Sequence, residues 1–283
     1  VGRGFIWYDP AVLTLVALAL GAGVAAGCLG ALLGIGGGVV LIPLLNAWMA
    51  LSFREAAAVS LVGVLATSSS VIGSPVERRP TNVHLAILLL VFSVLGATAG
   101  AAVGPTLAVR TLEVIFGVMA AVIAAAMLSR LDRRNVIRAA DVATGVLGGR
   151  FHDDDTGEDV AYRVRRVPVA LGVALAAGAL ASLVGIGGGV VIVPVLNAWC
   201  GVPMRVAAST SAFMLGITAL PGLVALYSDG HLNLPIASAT ALGVLFGYRL
   251  GLWLSGRMLV RRLKLMMAGI LVLVAIQYLV LRS

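Results

Sequence analysis

Charge is scarce in this sequence. Asp, Glu, Lys and Arg supply 11% of its 283 residues, while hydrophobic residues supply 60%. A soluble domain carries about a quarter charged residues, so this chain lacks the material for a water-facing surface. Cysteine is also scarce, and the two present, Cys28 and Cys200, both sit in apolar stretches at unmatched positions. They point to buried, inert thiols and exclude a disulfide framework or a cysteine metal centre. Acids near the apolar runs reduce to Glu55, Glu77, Glu113 and Asp229, each close to a run's end. No mid-run carboxylate is on hand to relay protons. Ser/His/Asp, Cys/His and metal-ligand spacings are missing from the runs, so no catalytic residue, metal site or cofactor is expected, and the chain does not read as an enzyme. The first residues show no cleavable-signal pattern.

What is abundant is apolar sequence in runs of about 20 residues, the length needed to cross some 30 Å of hydrocarbon as a helix. They are Ala11–Leu33, Ala56–Val76, Val83–Val103, Leu112–Ser129, Val169–Val184, Val206–Tyr227, Leu234–Leu254 and Leu265–Leu281. Strand-like alternation is missing from them, so an all-α polytopic protein of the cell membrane is expected, not a β-barrel. Gly96-x-x-x-Gly100 and Gly247-x-x-x-Gly251 suit close helix packing in lipid. The net charge of +8 is concentrated in short segments between runs. That is the positive-inside pattern, and it argues against nucleic acid as a partner.

The chain is duplicated. Gly34-Ile-Gly-Gly-Gly-Val-Val-Leu-Ile-Pro-Leu-Leu-Asn-Ala-Trp48 recurs as Gly185-Ile-Gly-Gly-Gly-Val-Val-Ile-Val-Pro-Val-Leu-Asn-Ala-Trp199, 151 residues on, with three aliphatic swaps. The same offset pairs Arg54 with Arg205, Ser60 with Ser211, Thr67 with Thr218, Gly96 with Gly247 and Gly100 with Gly251. Residues 1–130 and 167–283 therefore form two transmembrane repeats, joined by a linker over 131–166. Eight arginines between Arg130 and Arg166 place that linker in the cytoplasm, as do Arg78–Arg79 and the basic group from Arg257 to Lys264. Tracing the runs from these anchors makes equivalent spans point opposite ways: two inverted-topology repeats, each a glycine-broken helix pair plus three spans. One span plus a surface helix in place of each broken pair would make the repeats parallel. Within the linker, Leu147–His152, the turn residues Asp153–Gly157 and Glu158–Val164 read as a small cytoplasmic β-hairpin.

The glycine break carries the chemistry. Gly36, Gly37 and Gly38, with Gly187, Gly188 and Gly189, let the chain leave helical geometry and admit a ligand closely. Each following helix aims its free N–H groups and positive dipole end at the break, which makes an anion site. There is no Gly-Lys-Ser/Thr end and no preceding strand, so a nucleotide loop is excluded. Pro43 and Pro194 are expected at the start of the returning helices, where a missing N–H costs least. Asn46 and Asn197 need partners in lipid, either the ligand or the opposing break. Ser60, Thr67, Ser211 and Thr218, repeated on the next span of each half, either line the cavity or bond their own helix. Arg54 and Arg205 read as interfacial anchors. Arg249, inside an apolar run and matched only by Thr98 in the other half, should face protein or water.

The pattern Gly-x-Gly-Gly-Gly then proline, at Gly34–Pro43 and Gly185–Pro194, with Ser/Thr on the following span, resembles the sulfite exporter TauE/SafE family, also called the toluene-sulfonate uptake permease group. The resemblance covers essentially the whole chain. It implies a transporter of small sulfur-containing anions such as sulfite or organosulfonates, with the lipid bilayer as its other partner. A passive anion channel or carriage of another small organic anion would use the same site. A homodimer stays open as the assembly. The hairpin exceeds the simplest form of that family.

Overall fold

A computed structural model describes residues 10–33, 36–72, 81–128, 147–153, 158–255 and 260–281 of the chain. In order they form α1 (Pro10–Leu33), α2 (Gly38–Met49), α3 (Phe53–Ile72), α4 (Val83–Val103) with a 3-10 turn at Gly104–Thr106, and α5 (Val109–Leu128). Strands β1 (Gly149–Asp153) and β2 (Glu158–Tyr162) follow. The second half is α6 (Val167–Val184), α7 (Gly189–Ala198), α8 (Met204–Ser228), α9 (Leu234–Ser255) and α10 (Val260–Ile276), extended by a π-helical turn at Gln277–Leu281.

Among the described residues, five stretches are long and apolar enough to cross a membrane: Leu13–Ala31, Val83–Thr106, Val167–Val184, Val206–Ser228 and Leu234–Leu254. The chain is therefore a multi-pass, mostly helical membrane protein. α2, α7 and Ala268–Val280 are apolar but shorter. Of the expected spans, Leu112–Ser129 in α5, Leu265–Leu281 in α10 and Ala56–Val76 in α3 fall outside the five; for α3 the reason is its composition. Its first turn carries Arg54 and Glu55, and its second half holds the Thr67–Ser70 hydroxyls. That first turn is held by a capping box: the Ser52 backbone N–H and hydroxyl donate to Glu55 Oε2 at 2.9 and 2.7 Å, and Glu55 N–H returns to Ser52 Oγ at 3.4 Å. At α4, Asn82 Oδ1 accepts from Leu85 N–H at 3.0 Å as an ordinary N-cap.

The packing repeats as the sequence does. α1 lies along α9, α4 along α6, α3 on α8 and α5 on α10. With α1 equivalent to α6 and α4 to α9, the first two pairings are copies of one another. A Cβ at Gly96 or Gly100 would run into the main chain of Leu175 and Ala179; at Gly247 or Gly251 it would meet that of Val24 and Cys28, the equivalent residues. The small residues thus let backbones touch, as close packing in lipid requires. α3 and its copy α8 cross running in opposite directions. Ser68, late in α3, donates to Ala212 O, early in α8, at 3.0 Å, while Leu61 clusters with Ala219. α5 starts beside the end of α10: Arg110, in the first turn of α5, donates to Tyr278 O at 3.1 Å, and Phe116 stacks edge-on against the Tyr278 ring with centroids 5.0 Å apart.

The predicted hairpin forms, antiparallel from Gly149↔Tyr162 to Asp153↔Glu158; residues 154–157 of its turn, like residues 131–146 of the predicted linker, lie outside the described residues. Asn82 fastens it to the bundle. Its Nδ2 donates to Leu147 O at 2.8 Å and Tyr162 Oη at 3.0 Å, and its backbone N–H donates to Thr210 Oγ1 at 3.1 Å. The hairpin is therefore held at the start of α4, which Asn82 ties in turn to α8. Burial pushes the Tyr162 phenol up from its ordinary pKa.

Candidate functional site

The broken pairs are present. α1 stops at Leu33 and α2 starts at Gly38; α6 stops at Val184 and α7 starts at Gly189. Gly36 and Gly37 stand at φ 79° and 72°, Gly185 and Gly187 at 82° and 67°. Those are left-handed conformations that a side chain disfavours, which is why glycine occupies them. Close approach adds a second reason: a Cβ on Gly37 would strike Ala26 O, and one on Gly185 would strike the backbone of Ala57.

The two breaks meet. A Cβ on Gly38 would lie 3.0 Å from Cα and O of Ile186, so the start of α2 rests on the second break. Ser60 ties the halves together, its hydroxyl donating to Gly185 O at 2.6 Å. Its copy Ser211 is 1% exposed, and among the described residues its Oγ has no hydrogen-bond partner. Ser211 lies against Gly189, at the N-terminus of α7, where a Cβ would be 2.8 Å from that oxygen. Neither α2 nor α7 has a side-chain cap. In both, the N–H groups at positions three and four of the helix turn back to the preceding glycine carbonyl, as in Val40 and Leu41 to Gly37 O and Val191 and Ile192 to Gly188 O. The first amides of each helix are thereby left to the break, with the dipole's positive end behind them.

The other expected residues divide. Thr67 Oγ1 donates to Val64 O at 2.8 Å, and Thr218 Oγ1 to Leu215 O at 3.0 Å, both within their own helices. Thr67 still borders the break, its oxygen 3.7 Å from a Cβ on Gly36. Asn46 and Asn197 do something the sequence left open in a different form. Asn46 Nδ2 donates to Leu51 O at 2.6 Å and Asn197 Nδ2 to Val202 O at 3.0 Å. Each amide fastens the loop that follows its own returning helix, because the chain doubles back there within reach of a short side chain. Pro43 and Pro194 are not in the first turn as expected. The helices start immediately after the break, at Gly38 and Gly189, so each proline is the sixth residue and removes an intrahelical bond. Arg249 stands away from the breaks, exposed on α9 beside a hollow lined by Ser69, Ser70, Leu242, Leu245, Phe246, Tyr248 and Leu252.

Two residues at the site carried no signal in the sequence. Leu215 touches Gly36, Gly187 and Gly189, and Val64 touches Gly187. They fill the space between the breaks, and they are copies of one another. Their place one turn from Ser211 and Ser60 on repeated helices is the clue that could have found them. Among the described residues, no charged side chain is one of those closest to the break glycines; what faces an incoming group there is helix N-termini, two hydroxyls and aliphatic filling. The copies also differ in detail. Gly37 is left-handed where its copy Gly188 has φ −63°, and Ser60 is bonded where Ser211 is not.

Residues 19–278 match the family described as Sulfite exporter TauE/SafE. The chain is 27% identical over 262 residues to the probable membrane transporter protein YunE of Bacillus subtilis, covering 90% of this chain and 94% of that one. Over 103 residues it is 30% identical to a probable membrane transporter protein of Methanocaldococcus jannaschii, covering 33% of this chain and 38% of that one. No solved structure gives a significant match.

Proposed function

Because the chain belongs to the Sulfite exporter TauE/SafE family, we propose that it is a secondary transporter of small sulfur-containing anions, sulfite or organosulfonates, bound between the two glycine breaks. One observation carries the reading: two uncapped helix N-termini converge at one buried place beside the unpartnered hydroxyl of Ser211. An anion there replaces water with backbone N–H donors and the positive ends of two dipoles. Ser211 donates to it, and Thr67 borders it. The substrate-binding set is Gly36–Gly38, Gly187–Gly189, Ser60 and Ser211, with Thr67 and Thr218 behind them. Leu215 and Val64 must withdraw for the anion to enter, since they occupy the space now.

The repeats, residues 1–130 and 167–283 about the linker 131–166, are on this reading inverted. Support comes from the opposed directions of α3 and α8 and of α5 and α10. A rocking of one repeat against the other then opens the site to each face in turn. The unequal geometry of the two breaks is what one side of such a cycle requires.

Proteoliposome flux of labelled sulfite, measured with and without a pH gradient, tests the proposal. Overpacking costs about 1–3 kcal/mol, so Gly37→Leu and Gly188→Leu should each cut flux about tenfold or more. Rapid flux that ignores every gradient would make the protein a passive channel. No flux of any sulfur anion, with both variants silent in cells, would remove the proposal.

A further inference from the structure

We propose that Arg249 and the hollow beside it form a binding site for the headgroup of an anionic phospholipid. Arg249 lies on the outer face of α9. Its neighbours on that face, Leu242, Leu245, Phe246 and Trp253, are 36–69% exposed apolar side chains. Such a face meets acyl chains in a bilayer. A guanidinium there needs an anion or a route to water, and among the described residues no carboxylate pairs with it.

Depth identifies the anion. The apolar stretch of α9 ends at Leu254, five residues beyond Arg249, about 7.5 Å along the helix. Trp253, one turn on, is the kind of residue that marks the interface. A guanidinium extended along the helix surface therefore reaches the level of lipid phosphates. The hollow has a volume of about 410 Å³, within the roughly 300–1,000 Å³ of small-molecule sites. Leu242, Leu245 and Phe246 supply an apolar wall for the start of an acyl chain. Ser69 and Ser70 spend their protons on Leu65 O and Ala66 O, so their oxygens accept from a headgroup hydroxyl.

The duplicated fold supplies its own control. The copies of Arg249, Ser69 and Ser70 are Thr98, Leu220 and Pro221. Thr98 is exposed on α4 and donates to Leu95 O at 2.9 Å. The equivalent place in the other half thus lacks both the cation and the paired hydroxyls, so the fold itself does not demand them.

The test uses the full chain, purified and titrated with phosphatidylglycerol, phosphatidylcholine or sulfite, with bound lipid read by native mass spectrometry and stability by thermal midpoint. Phosphatidylglycerol should bind and stabilise the wild type more than phosphatidylcholine does. Arg249→Gln should weaken that binding about fivefold, matching roughly 1 kcal/mol per basic residue at an anionic membrane surface, and Arg249→Lys should restore most of it. Ser69→Trp, which fills the hollow and keeps the charge, should also release the lipid and stands in if Arg249→Gln does not fold. Equal phosphatidylglycerol binding by wild type, Arg249→Gln and Ser69→Trp would overturn the proposal. So would an Arg249-dependent stabilisation by sulfite without one by phosphatidylglycerol, which would return Arg249 to the substrate path.

Discussion

At the scale of single residues, Ser60 and Ser211 separate holding the protein together from holding its ligand. They are the same residue of a duplicated unit, both buried, yet Ser60 bonds Gly185 O at 2.6 Å and Ser211 Oγ has no partner among the described residues. Removing the Ser60 hydroxyl leaves a buried carbonyl short of its donor, a loss of about 1–3 kcal/mol. Removing the Ser211 hydroxyl relieves an unsatisfied polar atom. Ser60→Ala should therefore lower the thermal midpoint, whereas Ser211→Ala should leave it level or raise it. If Ser211 faces the anion, Ser211→Ala should also abolish stabilisation by added sulfite. Equal destabilisation by the two changes would show that Ser211 has a structural partner after all.

At the scale of elements, the helix pairs α1/α9 and α4/α6 are zipped by glycines, and the duplication sorts the glycines into two kinds. Gly27 and its copy Gly178 sit where a Cβ would enter the main chain of Val244 and of Ser93, the equivalent residue. Gly21 and its copy Gly172 have nothing within 4 Å of that Cβ. Gly27→Ala and Gly178→Ala should each cost about 1–3 kcal/mol through overpacking. Gly21→Ala and Gly172→Ala should gain about 0.4–1 kcal/mol, since alanine gives up less freedom on folding. Thermal melts of the four variants in one detergent check both signs together, and a loss at Gly21 equal to that at Gly27 would refute the distinction. These stripes were legible in the sequence because glycine at a repeated spacing stands out against leucine and valine. The breaks were legible for the same reason, and the hairpin announced itself through Asp153–Gly157. Leu215 and Val64 were not, because an aliphatic residue within an aliphatic run carries no mark of which neighbour it touches. The outward face of Arg249 was hidden too: a helix apolar all round does not reveal its rotation until its packing partner is known. Asn46 and Asn197 looked like ligand or bridge residues because a polar group in lipid must be bonded, but composition says nothing of how tightly the following loop turns back.

At the scale of the whole molecule, the way the two repeats lie in the membrane decides how the site can open. Repeats related by an axis along the membrane normal place equivalent helices parallel, whereas an axis in the membrane plane places them opposed. α3 and α8 run opposite ways where Ser68 bonds Ala212 O and Leu65 lies against Gly216, which favours the second arrangement. Trp48 and Trp199 are 49% and 51% exposed at the ends of α2 and α7, and aromatic residues gather at both interfaces. Inversion makes these two tryptophans mark opposite faces. The loops just beyond them should then differ in access. With Cys28 and Cys200 replaced by alanine, a cysteine at Ala50 should react with a membrane-impermeant maleimide on intact cells, because arginine counting places that end outside. A cysteine at Pro203, in the equivalent loop after α7, should react only once the membrane is opened. Labelling of both from the same face would make the repeats parallel. The breaks would then still touch, but the exchange of inward and outward shapes between two inverted halves would lose its geometric basis.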